Sequence, residues 1–199
     1  MKTIAWDVDD TLNDFTRIWF NDWWLPIQDK VTINYSQLTE NPPNRLLGIS
    51  DSEYLASLDS FRVSEIARNV QPLNQVLHWF QIRGEKTRHI ALSATPMIAA
   101  PISAAWVMKH FGRWIRSYNF IPSERAGYHN PEYDRGKTEF LNWFGKVDIL
   151  VEDNEANLVS AKNAGFITIG IPQPWNKIGG SLDDALSQLT AYIGGSSND

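Results

Sequence analysis

The chain contains no cysteine. That removes disulfides, thiolate metal ligands and a cysteine nucleophile. No stretch approaches the ~18 consecutive apolar residues that a membrane span needs. No basic region followed by an apolar run opens the chain, so no secretory leader is expected, and the reading is a cytoplasmic protein without a membrane partner. A surplus of positive charge is missing too. Eighteen Lys and Arg against 23 Asp and Glu give a formal net charge of -5, which disfavours a nucleic-acid polymer as partner. The four histidines, at 78, 89, 110 and 129, lack zinc-ligand spacing. There is no Gly-x-Ser-x-Gly elbow, no Gly-x-Gly-x-x-Gly dinucleotide turn and no internal repeat. Gly136-Lys137-Thr138 invites a P-loop reading, but Pro131 stands where that loop requires glycine, and no strand precedes it.

What is present centres on residues 3–15, TIAWDVDDTLNDF. Thr3, Ile4, Ala5, Trp6 and Val8 form an apolar, β-branched run that reads as a buried strand. It stops on Asp7, Asp9 and Asp10, followed by Thr11. Carboxylates at a buried strand end are costly unless something positive sits there. Asp7 and Asp9, two residues apart, face the same way. A divalent cation is the simplest counter-charge, and oxygen ligands suit Mg²⁺.

The remaining order alternates helices and strands. LNDFTRIWFNDWWL (12–25) has helical apolar spacing and closes at Pro26. Phe15 lies nearest the acids in sequence and is the aromatic candidate for touching a substrate. Residues 26–71 are turn-rich with short helical pieces. Only 30–35 hints at a strand, and Ser50 with Glu53 forms a capping-box arrangement. Arg17, Arg45 and Arg62 are the basic candidates there. Pro72 opens an amphipathic helix ending before Gly84. TRHIAL (87–92) is the next strand and delivers Ser93. Ala94-Thr95-Pro96 then reads as a helix start, a favourable place for an anion, with Thr95 as a competing hydroxyl. Lys137 sits at a loop-to-helix junction. KVDILV (146–151) is a further buried strand ending in Glu152-Asp153-Asn154. A helix to Ala164, Gly165 and a strand over 166–171 follow. Asn157, one helical turn from Asp153, is placed to support the site, as is Thr11.

In this order DVDDTL, IALSATP, Lys137 and VEDNEANLVSAKNAGFITIGI resemble the four motifs of the haloacid dehalogenase (HAD) superfamily. The resemblance implies a doubly wound, mostly parallel α/β core over 1–14 and 72–199, with a small helical cap of the C1 type over 15–71. It implies a Mg²⁺-dependent phosphohydrolase acting on a small phosphomonoester. Asp7 would be the nucleophile and Asp9 the general acid and base. Asp7, Asp153 and the Asp9 carbonyl would hold the metal. Ser93, the Ala94 N–H and Lys137 would hold the phosphoryl group, with Asp10 beside them and Glu152 as an outer support. Asp9 disfavours carbon–halogen cleavage, because the dehalogenase branch lacks it. Phe15, the Gln71-Pro72-Leu73 segment and Pro174-Trp175-Asn176 resemble the 5'(3')-deoxyribonucleotidase branch, which implies a nucleoside monophosphate stacked near Phe15. Asp10 departs from that branch, where Gly is usual. A phosphomutase or sugar-phosphate phosphatase would use the same motifs, and a binding protein that has lost the chemistry would keep the fold.

Overall fold

The computed structural model describes residues 1–29, 32–125, 127 and 129–194. Five strands, β1 Thr3–Trp6, β2 Arg88–Thr95, β3 Ile115–Pro122, β4 Ile149–Glu152 and β5 Ile167–Gly170, form one parallel sheet. Their order is β3-β2-β1-β4-β5. Four helices, α1 Phe15–Ile18, α2 Asn44–Leu47, α3 Asp51–Arg62 and α4 Glu65–Arg68, lie between β1 and β2, before α5 Asn74–Arg83. The others are α6 Ala100–Phe111 after β2, α7 Lys137–Phe144 after β3, α8 Glu155–Asn163 after β4 and α9 Leu182–Gly194 after β5.

Parallel strands need crossovers, and the crossover helices cover both faces of the sheet. The period of two along each strand decides which face a side chain serves. Ile4 and Trp6 pack with Val76, Phe80, Trp106, Phe111 and Leu189, from α5, α6 and α9. Ala5 and Leu150 point the other way, against Phe140, Leu141 and Ala161 of α7 and α8. The expected doubly wound α/β arrangement is therefore the one observed. The order reverses between β1 and β4, and a crevice opens there at the carboxyl ends of the strands.

The insertion between β1 and β2 has its own apolar cluster, in which Phe15, Trp19, Phe20, Trp24, Leu38, Tyr54, Leu58 and Phe61 are buried. Trp19 and Trp24 are thus packing residues, with Trp23 half-buried against them. The two chain segments joining the insertion to the sheet run side by side. Asn13 and Pro72 form an isolated antiparallel bridge, and the Leu73 N–H donates to the Leu12 carbonyl at 2.9 Å.

Several boundaries differ from the sequence reading. The first helix starts at Phe15, not Leu12, because residues 10–13 make a tight turn. It continues as a π-helix over Trp19–Trp24. No strand forms over 32–35; Tyr35–Gln37 is a 3₁₀ turn, and residues 30 and 31 lie outside the described residues. Pro72 is held in the bridge, so its helix begins at Asn74. The largest shift is after Ser93. β2 runs on to Thr95 because β3 pairs with it through Thr95↔Pro122, and α6 starts only at Ala100. Ala94 is a strand residue, and no helix N-terminus stands at that point. The Ser50–Glu53 capping box is present, and α3 runs on to Arg62.

Beneath the sheet's centre His89 is buried and fully bonded. Its Nδ1 accepts from Trp6 Nε1 at 3.0 Å, so the proton sits on Nε2, facing the Gly84 carbonyl at 2.8 Å. Burial pushes its pKa down from 6.5 to about 4. A second proton on Nδ1 would meet the indole N–H head-on. The unfolded chain therefore binds this proton below about pH 6.5 and the folded chain does not. Stability attributable to His89 falls as pH drops from 6.5 towards 4, by up to about 3 kcal/mol. Denaturation curves at pH 7.5 and pH 5 should show a larger loss in the wild type than in His89→Gln. Equal losses would remove His89 as the cause.

Candidate active site

The crevice at the ends of β1 and β4 collects the acids. Asp7 follows β1, its N–H donating to the Val151 carbonyl of β4 at 2.9 Å. Glu152 ends β4 and Asp153 follows it. Asp7, Glu152 and Asp153 are all buried, and each offers a carboxylate oxygen within 4.8 Å of the others. Lys137, at the first position of α7, reaches in with only 3% of its side chain exposed. Its Nζ lies 2.6 Å from Asp7 Oδ1 and 2.6 Å from Glu152 Oε2. Glu152 Oε1 accepts the Asn154 N–H at 3.1 Å. Glu152 is therefore occupied on both oxygens and acts by holding Lys137 against Asp7.

Three carboxylates around one ammonium leave an excess of negative charge in a dry place. Burial, together with Asp7, raises the Glu152 pKa to about 7. Burial and the neighbouring Glu152 and Asp7 carboxylates raise that of Asp153 well above its ordinary value. Lys137 is raised as well; its burial is outweighed by Asp7 and Glu152.

Asp153 is fixed from the loop after β5. Its Oδ2 accepts Trp175 Nε1–H at 3.1 Å and its carbonyl accepts Asn176 Nδ2–H at 2.8 Å. Gln173 from the same loop donates to the Asp10 carbonyl at 2.7 Å and accepts the Tyr35 hydroxyl at 3.1 Å. Tyr35 ties the insertion to this loop, a role that nothing local in the sequence signals.

Asp9 faces the insertion instead of the acidic cluster. Its Oδ2 lies 3.5 Å from Arg62 Nη2. Arg62 Nη1 reaches Asp59 Oδ1 at 3.3 Å, and Asp59 also accepts Arg125 Nε and Nη2 at 2.5 and 2.9 Å. A chain of alternating charges thus runs from the sheet, through α3, to the loop after β3. Burial, and secondarily Asp7, raise the Asp9 pKa, while Arg62 and Lys137 oppose them.

Asp10 occupies the left-handed backbone region, at φ 60°. Asp adopts that region more readily than most residues, which accounts for a non-glycine residue here. Asp10 lines the cavity at the sheet's edge with Asp7 and Lys137. Its carboxylate accepts the Thr16 N–H at 2.8 Å and the Thr16 hydroxyl, and so caps α1 from six residues upstream. Its N–H donates to Asn13 Oδ1 at 3.2 Å. Asp10 thus has a structural role in this turn as well as a place at the cavity. Thr11 is fully buried, and its hydroxyl has no hydrogen-bond partner among the described residues.

These groups surround a cavity of about 140 Å³. Ser93, Ala94 and Asn157 line it with Lys137 and the acids. From the insertion come Asn41, Tyr54, Leu58 and Arg62. Tyr54, Leu58 and Arg62 recur every four residues, so one stripe of α3 faces the cavity. That spacing was readable in the sequence; the face it would turn to the site was not. Phe15 borders the cavity, but it is only 7% exposed. Its ring packs on Phe61 at 4.8 Å and lies under the Arg62 guanidinium. Arg17 pairs with Asp14, three residues before it, and Arg45 with Glu40 in an exposed pair. Neither lines the cavity. Of the three arginines marked in the sequence, only Arg62 does.

The donor set fits a hard divalent cation. Asp7 Oδ2 and Asp153 Oδ1 carry no hydrogen bond among the described residues, and both belong to a cluster short of positive charge. Asp7 and Asp153 are the residues that would hold Mg²⁺; a contribution from Asp9 rests on its backbone carbonyl, since its carboxylate is with Arg62. Cation binding should relieve the repulsion and stabilise the fold through linkage. Millimolar Mg²⁺ should raise the thermal midpoint by about 5 °C, in line with roughly 2 kcal/mol for a chain of this size. Asp153→Asn should abolish the shift. An identical shift in that variant would place the cation elsewhere.

No protein-family model matches the chain, and no curated protein matches it. Solved structures do. A haloacid dehalogenase-like family hydrolase from Streptococcus pneumoniae superposes with a TM-score of 0.63 at 11% identity, covering 97% of this chain and 98% of that one. A candidate phosphoglycolate phosphatase from Lactobacillus delbrueckii gives 0.61 at 13% identity over 96% and 98% of the two chains. A magnesium-bound HAD-hydrolase candidate from Bacillus subtilis gives 0.55 at 13% identity over 96% and 98%. The fold of this chain is the HAD-like α/β fold.

Proposed function

We propose that this protein is a Mg²⁺-dependent phosphohydrolase that transfers the phosphoryl group of a small monoester to Asp7 and then to water. One observation carries the reading: Lys137 is clamped between Asp7 and Glu152 at 2.6 Å on each side, beside Ser93 and Asp153, at the switch point of a HAD-like sheet. This is a site for an anion next to a nucleophile, with the ammonium there to take up its charge.

In the first step Asp7 Oδ2 attacks phosphorus while Lys137 keeps Asp7 Oδ1 in place. Ser93 and Lys137 hold the non-bridging oxygens of the phosphoryl group as it is transferred. Asp9 donates its proton to the departing alcohol, a role that its raised pKa favours. In the second step Asp9 takes a proton from water, which attacks the aspartyl-phosphate and frees Asp7. Bound Mg²⁺ would supply Lewis-acid neutralisation of the phosphate charge. The helices over 15–71 serve as a cap, with α3 forming the roof.

A phosphomutase or a sugar-phosphate phosphatase would use the same groups, and release of phosphate separates the phosphatases from the mutase. A nucleoside monophosphate needs an aromatic face for its base, and the Phe15 ring is covered by Phe61 and Arg62. That feature favours a small phosphomonoester. The test is phosphate release from a panel of small phosphomonoesters, sugar phosphates and nucleoside monophosphates with Mg²⁺, comparing wild type with Asp7→Asn and with EDTA. Release from a small member, lost in both controls, is the expected outcome. Release unaffected by the substitution would overturn the reading.

A further inference from the structure

The three clustered acids differ in what each oxygen does. Lys137 Nζ lies 2.6 Å from Asp7 Oδ1 and donates to Glu152 Oε2 at 2.6 Å. Glu152 Oε1 accepts the Asn154 N–H at 3.1 Å. Asp153 Oδ2 accepts Trp175 Nε1–H at 3.1 Å. What remains is Asp7 Oδ2 and Asp153 Oδ1, which carry no hydrogen bond among the described residues. They belong to different carboxylates. Neither acid can therefore offer both of its oxygens to one ion while its donor stays in place.

The loop after β5 holds Trp175 in position. Asn176, next in sequence, donates through Nδ2 to the Ile171 and Asp153 carbonyls at 2.9 and 2.8 Å. Its Oδ1 accepts the Gln173 and Ile178 N–H groups at 3.1 and 3.2 Å. The Tyr35 ring meets the indole edge-on, with centroids 6.2 Å apart. The indole lies behind Asp153, and Trp175 is not among the residues that line the cavity. An indole N–H can only donate, so the oxygen it holds cannot turn to a cation without breaking that bond.

Cations differ in the oxygens they accept. Mg²⁺ demands near-ideal octahedral geometry, takes one or two carboxylates and keeps several waters. Ca²⁺ takes about six to eight oxygens and readily uses both from one carboxylate. Two single oxygens from two residues suit the smaller ion. We propose that Trp175 is a positioning residue that sets the choice of cation: by engaging Oδ2 it limits Asp153 to one oxygen and so favours Mg²⁺ over Ca²⁺. The inference rests on the phosphohydrolase reading above and concerns which ion that site selects. Lys137 restrains Asp7 in the same way, but it also belongs to the proposed reacting groups, so Trp175 is the restraint that can be removed alone.

The test is calorimetric titration of the whole protein with Mg²⁺ and, separately, with Ca²⁺. The wild type should bind Mg²⁺ more tightly. Trp175→Phe keeps a ring against Tyr35 and removes the donor. It should weaken Mg²⁺ about tenfold, the scale for losing a hydrogen bond that orients a metal ligand, and leave Ca²⁺ binding unchanged or tighter. The preference for Mg²⁺ then falls by at least that factor. Tyr35→Phe cuts the hydroxyl bond to Gln173 but keeps the indole N–H, and should leave the preference where it is. Thermal midpoints without added cation identify a variant that fails to fold. A wild type that prefers Ca²⁺ would overturn the proposal without any variant. So would equal weakening of both ions in Trp175→Phe, an unchanged preference there, or the same change in Tyr35→Phe. Each of these leaves the phosphohydrolase standing. A wild type that binds neither ion would overturn the underlying reading as well.

Discussion

Asp7→Asn should reduce turnover by about 10⁴-fold or more, the scale seen when a covalent nucleophile is removed, while leaving the fold as stable as the wild type or more so. The amide keeps an oxygen for Lys137 Nζ but cannot form the acyl phosphate. Its effect on stability follows from charge. Asp7 and Glu152 share one ammonium, with the Asp153 carboxylate beside them, and Asp7 helps to raise the pKa of both other acids. Removing one negative charge relieves both. Loss of activity with an unchanged or higher thermal midpoint is therefore the signature of a nucleophile. A midpoint that falls by several degrees would mean that Asp7 is needed for packing, and residual activity above about one per cent would move the nucleophile elsewhere.

Lys137→Met should do the opposite to the fold. Methionine matches the length of lysine but leaves three buried carboxylates without a cation. Breaking a buried pair from one side costs about 3–5 kcal/mol, which for a chain of this size lowers the midpoint by roughly 10 °C or more. Activity should be lost as well. The pH dependence separates charge from packing. Glu152 already titrates near 7, above its ordinary 4.5, and losing Lys137 raises it further. A carboxyl with a raised folded pKa binds its proton in the folded state first. The variant should therefore regain stability as pH falls from about 8 towards 5. Mg²⁺ should restore part of it at neutral pH. A deficit independent of both pH and Mg²⁺ would point to lost packing of the lysine stem instead.

The groups on the sheet were legible because each ends a strand or starts a helix whose apolar run is unambiguous. Asp7, Ser93, Lys137 and Asp153 are far apart in sequence, yet the alternation of strands and helices brings them to one crevice. The insertion was legible only locally. Its capping box could be read at Ser50, but the face that α3 turns to the site depends on where Phe61 and Trp19 pack. That is settled by contacts distant in sequence. The same limit explains the arginines. Arg17 and Arg45 find partners three and five residues away, whereas Arg62 meets Asp9 across 53 residues. The run after Ser93 was misread as a helix start because its pairing partner, Pro122 in β3, lies beyond the next helix. The capping contacts of Asp10 with Thr16 depend on its left-handed backbone conformation, which leaves no trace in composition.

The bridge between Asn13 and Pro72 has a topological consequence. The chain leaves the sheet and returns to it at one point, so the fifty-odd residues between form a closed excursion with its own apolar interior. Every strand, and every helix that covers the sheet, lies outside that excursion. A short turn joining Asn13 to Pro72 would leave the sheet's connectivity intact, and an excursion of different length could be grafted at the same two positions. Such a graft would replace the α3 residues at the cavity while leaving Asp7, Ser93, Lys137 and Asp153 on unaltered elements, so under the proposed function the choice of substrate could be exchanged separately from the groups proposed to react.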